Sequence, residues 1–202
     1  MTIIYLHGLD SSPNASKAVI TKRHADTLGT PVFCPDLNCP PDDVLSKVLA
    51  LINTNDDVVL IGSSLGGYFA NLISDLTGTP AVLLNPSIRP DVSFRRFLSD
   101  NFADKPLAKE TVIYTTTGGW QIRFGDLAWF ETRPLTVQNP AKIRVLLKMG
   151  DELLNAHAAC QFYQDKGAFV LAQDGGDHQM SDYDKQVNII FNWIDKLKSP
   201  NH

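Results

Sequence analysis

The stretch VVLIGSSLGGYFA, residues 58–70, decides how this chain is expected to fold. It begins with β-branched and apolar residues without polar alternation, a pattern typical of a strand buried on both faces. Two serines flanked by glycines follow, and then residues that favour a helix. The junction is therefore predicted to be a tight strand-to-helix turn, in which a serine either reacts or only connects the two elements.

The glycines of this turn single out Ser64. The segment fits the pattern G-x-S-x-G when it is centred on Ser64, whereas centring it on Ser63 puts larger residues where glycines are needed. At such a turn the positions two before and two after the serine come close together, and Gly62 and Gly66 avoid a clash there. We predict Ser64 as a nucleophile and the unpaired backbone N–H of Leu65 as an oxyanion donor. The alternative is a serine that only caps the helix.

Short apolar strands alternate with amphipathic segments along most of the chain, which predicts a mainly parallel sheet of about six strands with helices on both faces. The predicted strands are TIIYL (2–6), PVFCP (31–35), DVVLIG (57–62), PAVLLNP (80–86), IRVLLKMG (143–150) and AFVLAQ (168–173). Helical spacing of apolar residues places helices in residues 16–29, 42–55, 65–78, 155–167 and 182–198. We expect one α/β domain over residues 1–202.

Residues 87–141 break this alternation and are rich in aromatic side chains. An excursion of this length between strands is expected to have structure of its own and often a function. We interpret it as a small cap over the carboxyl edge of the sheet, and the alternative is a set of packing helices without a role in substrate binding. The aromatic residues are Phe94, Phe97, Phe102, Tyr114, Trp120, Phe124, Trp129 and Phe130.

A nucleophilic serine needs a base, and the base needs a carboxylate that orients it. The segment GGDH places His178 after the last predicted strand, and MGD places Asp151 after the strand before it. Ser64, Asp151 and His178 thus occur in the order serine, acid, histidine, each at the carboxyl end of a predicted strand, where such sheets bind ligands. Glu152 could replace Asp151 as the acid, and Asp151 could instead only cap a helix.

The loop after the first predicted strand, YLHGLDSSP, is expected to supply a second oxyanion donor. Gly8 lets the backbone approach the substrate, and the N–H of Leu9 is the predicted donor. The alternative is an ordinary turn at a strand end. His7 is a weaker candidate base than His178, because it precedes the serine in the chain. The other histidines lie on predicted helices or at the end of the sequence: His24, His157 and His202.

Composition limits the class of protein. Hydrophobic residues make up 44% and charged residues 20%, and the formal net charge is −4, without the basic block of a nucleic-acid binder. The first residues lack the features of a signal peptide, and no apolar run approaches the roughly 18 residues of a membrane span. Cys34, Cys39 and Cys160 lack metal-site spacing, which favours free thiols in a reducing compartment. We expect a cytoplasmic protein with a small-molecule substrate and no metal, cofactor or nucleic-acid partner.

Five motifs, YLHGLDSSP, GSSLGGYFA, NPSIRP, MGDELL and GGDH, together resemble those of the YqiA-type bacterial esterases, which are small α/β-hydrolases. The resemblance covers nearly the whole chain and implies a compact α/β-hydrolase fold without the first strands of larger members. It also implies hydrolysis of carboxylic esters or thioesters, with Ser64 as nucleophile, Asp151 as acid and His178 as base. The chain departs from the pattern at Asp177, where Asn is expected, and at residues 155–156, where Asp and an aromatic are expected.

Three functions remain open from the sequence. The first is hydrolysis of carboxylic esters, the second is hydrolysis of acyl thioesters on a carrier by the same chemistry, and the third is binding without turnover on a hydrolase-like fold. The residues of the segment 91–141 match the pattern poorly, and its aromatic residues suggest an acyl or aryl substrate of moderate size. Arg89 could hold a substrate carboxylate or phosphate, or fix the cap through an ion pair.

Overall fold

The computed structural model describes residues 1–99, 102 and 106–198. Its strands are β1 (Thr2–Leu6), β2 (Val32–Phe33), β3 (Val58–Ser63), β4 (Ala81–Leu84), β5 (Val112–Thr115), β6 (Gln121–Arg123), β7 (Ile143–Lys148) and β8 (Phe169–Gln173). Its α-helices are α1 (Ser16–Thr27), α2 (Pro41–Asn53), α3 (Leu65–Thr77), α4 (Pro90–Ser93), α5 (Arg96–Ser99), α6 (Phe124–Glu131), α7 (Ala156–Asp165) and α8 (Tyr183–Lys198). A short 3-10 helix, Pro140–Lys142, precedes β7.

Six strands form one parallel sheet in the order β2-β1-β3-β4-β7-β8, which confirms the predicted fold class. From β1 the chain first crosses to β2 on one side, and from β3 it crosses to β4 on the other side. Loops that leave adjacent strands in opposite directions open a crevice at the carboxyl edge of the sheet. This crevice lies between the loop after β1 and the turn after β3, which begins with Ser64.

Helices cover both faces of the sheet because side chains of successive strand residues point to opposite faces. Ile4 and Leu6 of β1 join the core cluster that includes α2, α3 and α7, whereas Ile3 and Tyr5 join the cluster formed with α1 and α8. All six residues of β3 are buried, as its continuous apolar sequence predicts. Among the described residues, no helix is both long and apolar enough to cross a membrane.

The aromatic segment 87–141 contains α4, α5, α6 and an antiparallel hairpin of β5 and β6. Its aromatic side chains join the core cluster on the α3 face of the sheet. The ring of Phe130 lies 5.4 Å from that of Tyr68 and 6.2 Å from that of Phe69, and the Tyr68 hydroxyl donates a hydrogen bond of 2.7 Å to the carbonyl of Arg133. At its other side, the hairpin contacts the loop after β1, where the Tyr114 hydroxyl and Thr117 N–H donate to the Asp10 carboxylate.

Candidate active site

Ser64 lies at a strained turn between β3 and α3. Its backbone has φ 55° and ψ −117°, a region that residues other than glycine adopt at an energetic cost. A Cβ on Gly62 would lie 2.3 Å from the carbonyl oxygen of Gly66, and a Cβ on Gly66 would lie 2.1 Å from that of Leu6. The close approach predicted for these two glycines is therefore present. The Ser64 hydroxyl makes no capping hydrogen bond to α3 and instead lies within hydrogen-bond distance of His178 Nε2.

The structure brings Ser64, His178 and Asp151 together in one chain of hydrogen bonds. His178 Nε2 lies 2.9 Å from Ser64 Oγ, and His178 Nδ1 lies 2.7 Å from Asp151 Oδ2. The Asp151 side chain is 2% exposed, and that of His178 is 8% exposed. In this arrangement Nδ1 carries the proton that Asp151 accepts, and Nε2 is free to accept the proton of Ser64.

The Asp151 carboxylate is held in its ionised form. Burial alone would raise its pKa, but the hydrogen bond from His178 and those from the backbone N–H groups of Leu154 and Leu153 outweigh burial and lower the pKa. The two backbone bonds, 2.8 and 2.9 Å long, use Oδ1 and leave Oδ2 to the imidazole. Asp151 therefore orients the ring of His178 and places a negative charge beside it.

Two residues, Glu152 and Asn85, fix the loop that carries His178. Glu152 Oε2 accepts a hydrogen bond of 2.9 Å from the backbone N–H of His178, so Glu152 contacts the backbone of His178 and not its ring. Asn85, directly after β4, donates through Nδ2 to the carbonyls of Asp177 and His178, each at 3.1 Å. Its Oδ1 accepts from the N–H of Lys148 at 2.8 Å, which ties this loop to the end of β7.

Asp177 and Arg89 make contacts outside the Ser64 hydrogen-bond chain. The Asp177 carboxylate accepts a hydrogen bond of 3.0 Å from the backbone N–H of Ser181. Arg89 forms a two-pronged ion pair with Asp91 of α4, at 2.8 and 2.6 Å. For Arg89, the structure thus favours the interpretation as an ion pair within segment 87–141.

The predicted oxyanion donors border the same cleft as Ser64. Leu9 and Leu65 line a small cleft together with Ser64 and His178. Within the described chain, no acceptor is present for the backbone N–H of either leucine. A Cβ on Gly8 would lie 3.0 Å from the Ser64 Cβ, so the loop after β1 passes directly beside the serine.

The ring of His7 stabilises the loop after β1 through two hydrogen bonds. Its Nδ1–H donates to the carbonyl of Gly8 at 2.9 Å, and its Nε2 accepts from the N–H of Leu37 at 3.0 Å. Burial lowers the pKa of His7, although the contacts with Gly8 and Asp36 partly offset this effect. The neutral ring thus connects the loop after β1 to the chain after β2, which is a structural role.

A cavity of about 470 Å³ opens beside Ser64 and His178. It lies between the loop after β1, the first turn of α1 and the residues that follow His178. The volume is within the range of small-molecule sites. In the part of the chain that the structure describes, no three His, Cys, Asp or Glu side chains are grouped so that they could hold a metal ion.

A family model described as an uncharacterised protein family, UPF0227, matches residues 2–194. The chain belongs to the UPF0227 family. This confirms the resemblance to the YqiA-type proteins. A UPF0227 protein of Enterobacter sp. (strain 638) is 26% identical over 167 residues, 79% of this chain and 81% of that protein. A UPF0227 protein of Vibrio parahaemolyticus is 33% identical over 94 residues, which are 44% of this chain and only 52% of the relative.

Solved structures share the fold of this UPF0227 member. Alpha/beta hydrolase domain-containing protein 10 from mouse matches with a TM-score of 0.72 and 21% identity, over 97% of this chain and 90% of that one. Est1E from Butyrivibrio proteoclasticus matches with a TM-score of 0.71 and 16% identity, over 96% of this chain and 85% of that one. XC6422 from Xanthomonas campestris is described as a serine hydrolase without lid. It matches with a TM-score of 0.60 and 15% identity, over 95% of this chain and 81% of that one. At these identities the comparison establishes the α/β-hydrolase fold.

Proposed function

We propose that this protein is a serine hydrolase that cleaves carboxylic esters through an acyl-enzyme intermediate. The observation that carries the proposal is the continuous hydrogen-bond chain from Ser64 through His178 to Asp151, with Ser64 on a strained turn at the sheet's crevice. The α/β-hydrolase fold supports it, because an esterase domain from a Rhodothermus marinus protein and the serine hydrolase XC6422 have the same fold. The substrate is proposed to be a small molecule that enters the adjoining cavity.

In the first half of the reaction, Ser64 Oγ attacks the carbonyl carbon of the ester while His178 Nε2 takes its proton. Asp151 stabilises the imidazolium that forms, and the C–O bond to the leaving group then breaks as His178 returns the proton to the leaving oxygen. In the second half, His178 removes a proton from water, the resulting hydroxide attacks the acyl carbon, and Ser64 recovers its proton from His178. The carboxylic acid is released.

The negative charge on the carbonyl oxygen is proposed to be held by the backbone N–H groups of Leu65 and Leu9. Donors that are already oriented stabilise such a charge without reorganisation, and the loss of one usually costs about 10²–10³ in rate. The Leu65 donor is oriented by the start of α3, and the Leu9 donor by Gly8 and the buried His7.

Labelling with a fluorophosphonate tests the proposed nucleophile. The folded protein is expected to gain one covalent adduct on Ser64, detected by mass spectrometry of the digested protein. Ser64→Ala removes both the adduct and ester hydrolysis, whereas Ser63→Ala, one residue away, retains the adduct. Hydrolysis that persists in Ser64→Ala would show that the nucleophile is misassigned, and a folded protein without an adduct would overturn the enzymatic proposal.

Thioester hydrolysis would use the same residues and differ only in the leaving group. A turnover panel of acyl esters and acyl thioesters, matched in chain length, distinguishes the two substrates. At every chain length we expect the same class, ester or thioester, to have the higher kcat/KM. The reason is that the leaving-group side of the cavity is unchanged along the series. A preference that reverses with chain length would indicate that the acyl part decides the substrate.

A further inference from the structure

The cavity beside Ser64 has a lysine in its wall. Lys17, in the first turn of α1, lines this cavity together with Ser64 and His178. Residues 179–181, which follow His178, form the neighbouring part of the wall. A molecule bound in this cavity with its carbonyl carbon at Ser64 can therefore also contact Lys17.

The Lys17 ammonium is partly desolvated, and no acidic side chain of the described residues lies at contact distance from it. Its Nζ donates one hydrogen bond of 2.6 Å, to the carbonyl of Gln179. In the described part of the chain it forms no ion pair within 4.0 Å. Burial lowers the pKa of Lys17, and the more distant charge of Asp177 offsets this only in part. An anion that enters the cavity would thus interact with this cation more strongly than with a solvated lysine.

The other charged side chains of the cavity wall are compatible with an anion. Arg96, from segment 87–141, adds a second cation, and its guanidinium lies 5.0 Å from the ring centre of Phe97. Asp10 is the acidic residue of the wall, and its carboxylate already accepts hydrogen bonds from the Tyr114 hydroxyl and the Thr117 N–H. Among the described residues of the wall, the Asp10 carboxylate is thus engaged in hydrogen bonds, and it forms no ion pair with Lys17.

We propose that Lys17 determines substrate specificity by binding a carboxylate or phosphate group that the ester carries at a distance from its reacting carbonyl. The inference rests on the proposed function and adds the class of substrate, an anionic ester. The anionic group belongs either to the acyl part or to the alcohol part of the ester. In both cases it accepts hydrogen bonds from the Lys17 ammonium while Ser64 attacks the carbonyl carbon.

Two pairs of esters test the proposal, and each pair differs in one carboxylate. 4-Nitrophenyl hemisuccinate against 4-nitrophenyl butyrate tests an anionic acyl part, and 4-acetoxybenzoate against phenyl acetate tests an anionic alcohol part. In one pair, the ratio of kcat/KM for the anionic to the neutral ester should fall about 10–100-fold in Lys17→Met, since a hydrogen bond between charged groups is lost. Lys17→Arg should restore part of the ratio, and Arg23→Met, an exposed charge on the same helix, should leave it unchanged.

A bracing role of Lys17 gives a different result. If Lys17 only holds the His178 loop through Gln179, Lys17→Met lowers kcat for both esters of a pair equally, and the ratio stays constant. A ratio that stays constant in both pairs overturns the proposal.

Binding without turnover separates this inference from the proposed function. Calorimetry with 4-nitrophenyl hemisuccinate and 4-acetoxybenzoate compares Ser64→Ala with the double variant Ser64→Ala/Lys17→Met. Binding of either ester that weakens about 10-fold or more in the double variant supports the anion site, even if the wild-type protein hydrolyses no ester. Equal binding of both esters to the two variants counts against the site, whatever the outcome of the Ser64 labelling.

Discussion

Among single side chains, Asp151 offers the sharpest test of the proposed chemistry. In Asp151→Asn, the amide can donate a hydrogen bond to Nδ1 of His178, which favours the tautomer with the proton on Nε2. That tautomer cannot accept the proton of Ser64, so we expect kcat to fall on the order of 10³–10⁴-fold with the fold retained. Steady-state kinetics together with far-UV circular dichroism checks this result.

Asp177→Asn is a matched control for the Asp151 substitution. An asparagine at 177 can still accept the hydrogen bond from the Ser181 N–H, and the Asp177 carboxylate makes no hydrogen bond to the His178 ring in the structure. We expect kcat within about two-fold of wild type. A loss comparable to that of Asp151→Asn would mean that the two carboxylates share the acid role.

His7 is expected to make stability depend on pH. Its pKa is lowered in the folded protein, so the unfolded chain binds the proton more readily between that lowered pKa and about 6.5. The free energy of unfolding should therefore be highest above this pH window and decrease as the pH falls through it. In His7→Gln the residue cannot titrate, so the change between pH 7.5 and 5.5 should be smaller, while buried hydrogen bonds worth about 1–3 kcal/mol are lost at both values.

Urea denaturation of both proteins at the two pH values measures this effect of His7. For each protein, the free energy of unfolding at pH 5.5 is subtracted from that at pH 7.5, and the two differences are then compared. The other histidines are common to wild type and variant, so their contributions to the two differences cancel. If the free energy of unfolding changes equally with pH in the two proteins, the protonation of His7 is not linked to folding.

Sequence reasoning located the side chains that react in the proposal but not those that position them. Ser64, Asp151 and His178 have motifs, since each follows a predicted strand and lies within two residues of a glycine. Asn85 and Glu152 act on backbone groups of a loop that is distant in sequence, and only the folded chain shows which carbonyls and N–H groups they meet. Asn85 lies in the motif NPSIRP and Glu152 in MGDELL, but neither motif indicates these backbone contacts.

Between elements, the contact of α3 with β1 depends on Gly66. In Gly66→Ala the new Cβ would lie 2.1 Å from the Leu6 carbonyl, a backbone atom that cannot move aside alone. Either β1 or the start of α3 must shift, and we expect a loss of roughly 3 kcal/mol or more in the free energy of unfolding. Ester hydrolysis should fall as well, because the same shift displaces Ser64. Chemical denaturation and kinetics on one preparation measure both effects.

Gly29→Ala separates this close contact from backbone strain. Gly29 has φ +62°, and no atom lies within 4 Å of its added Cβ, so the substitution should cost only the left-handed strain of about 1–2 kcal/mol. Hydrolysis should stay at the wild-type rate. If Gly66→Ala behaves like Gly29→Ala in both measurements, the close packing at the turn does not control the position of Ser64.

The regular elements were predictable because periodicity reports directly on burial. Each of the six predicted strands coincides with a strand of the sheet within a few residues. Segment 87–141 was less predictable, because its short helices and one hairpin are stabilised by contacts with α3 and not by a periodic pattern of their own. The sequence therefore indicated that this segment is structured without indicating which face of the sheet it covers.

In the whole molecule, the position of segment 87–141 implies a single folding unit. Its aromatic residues share one core cluster with β1, β3 and α3, so we expect segment and sheet to unfold together. Phe130, which is 1% exposed against Tyr68 and Phe69, is the place to test this. Phe130→Ala should lower the free energy of unfolding by about 3–5 kcal/mol.

Two probes follow the unfolding of Phe130→Ala, and one substitution serves as its control. Far-UV circular dichroism reports mainly on the helices and the sheet, and tryptophan fluorescence reports largely on Trp120 and Trp129 of the segment. In one folding unit both transitions shift together, because loss of the shared core destabilises every element in contact with it. Val92→Ala, at a site 51% exposed in the same segment, should change stability by less than about 0.5 kcal/mol. A fluorescence transition that moves alone would instead make the segment an independently folding cap, whose opening could then control access to Ser64.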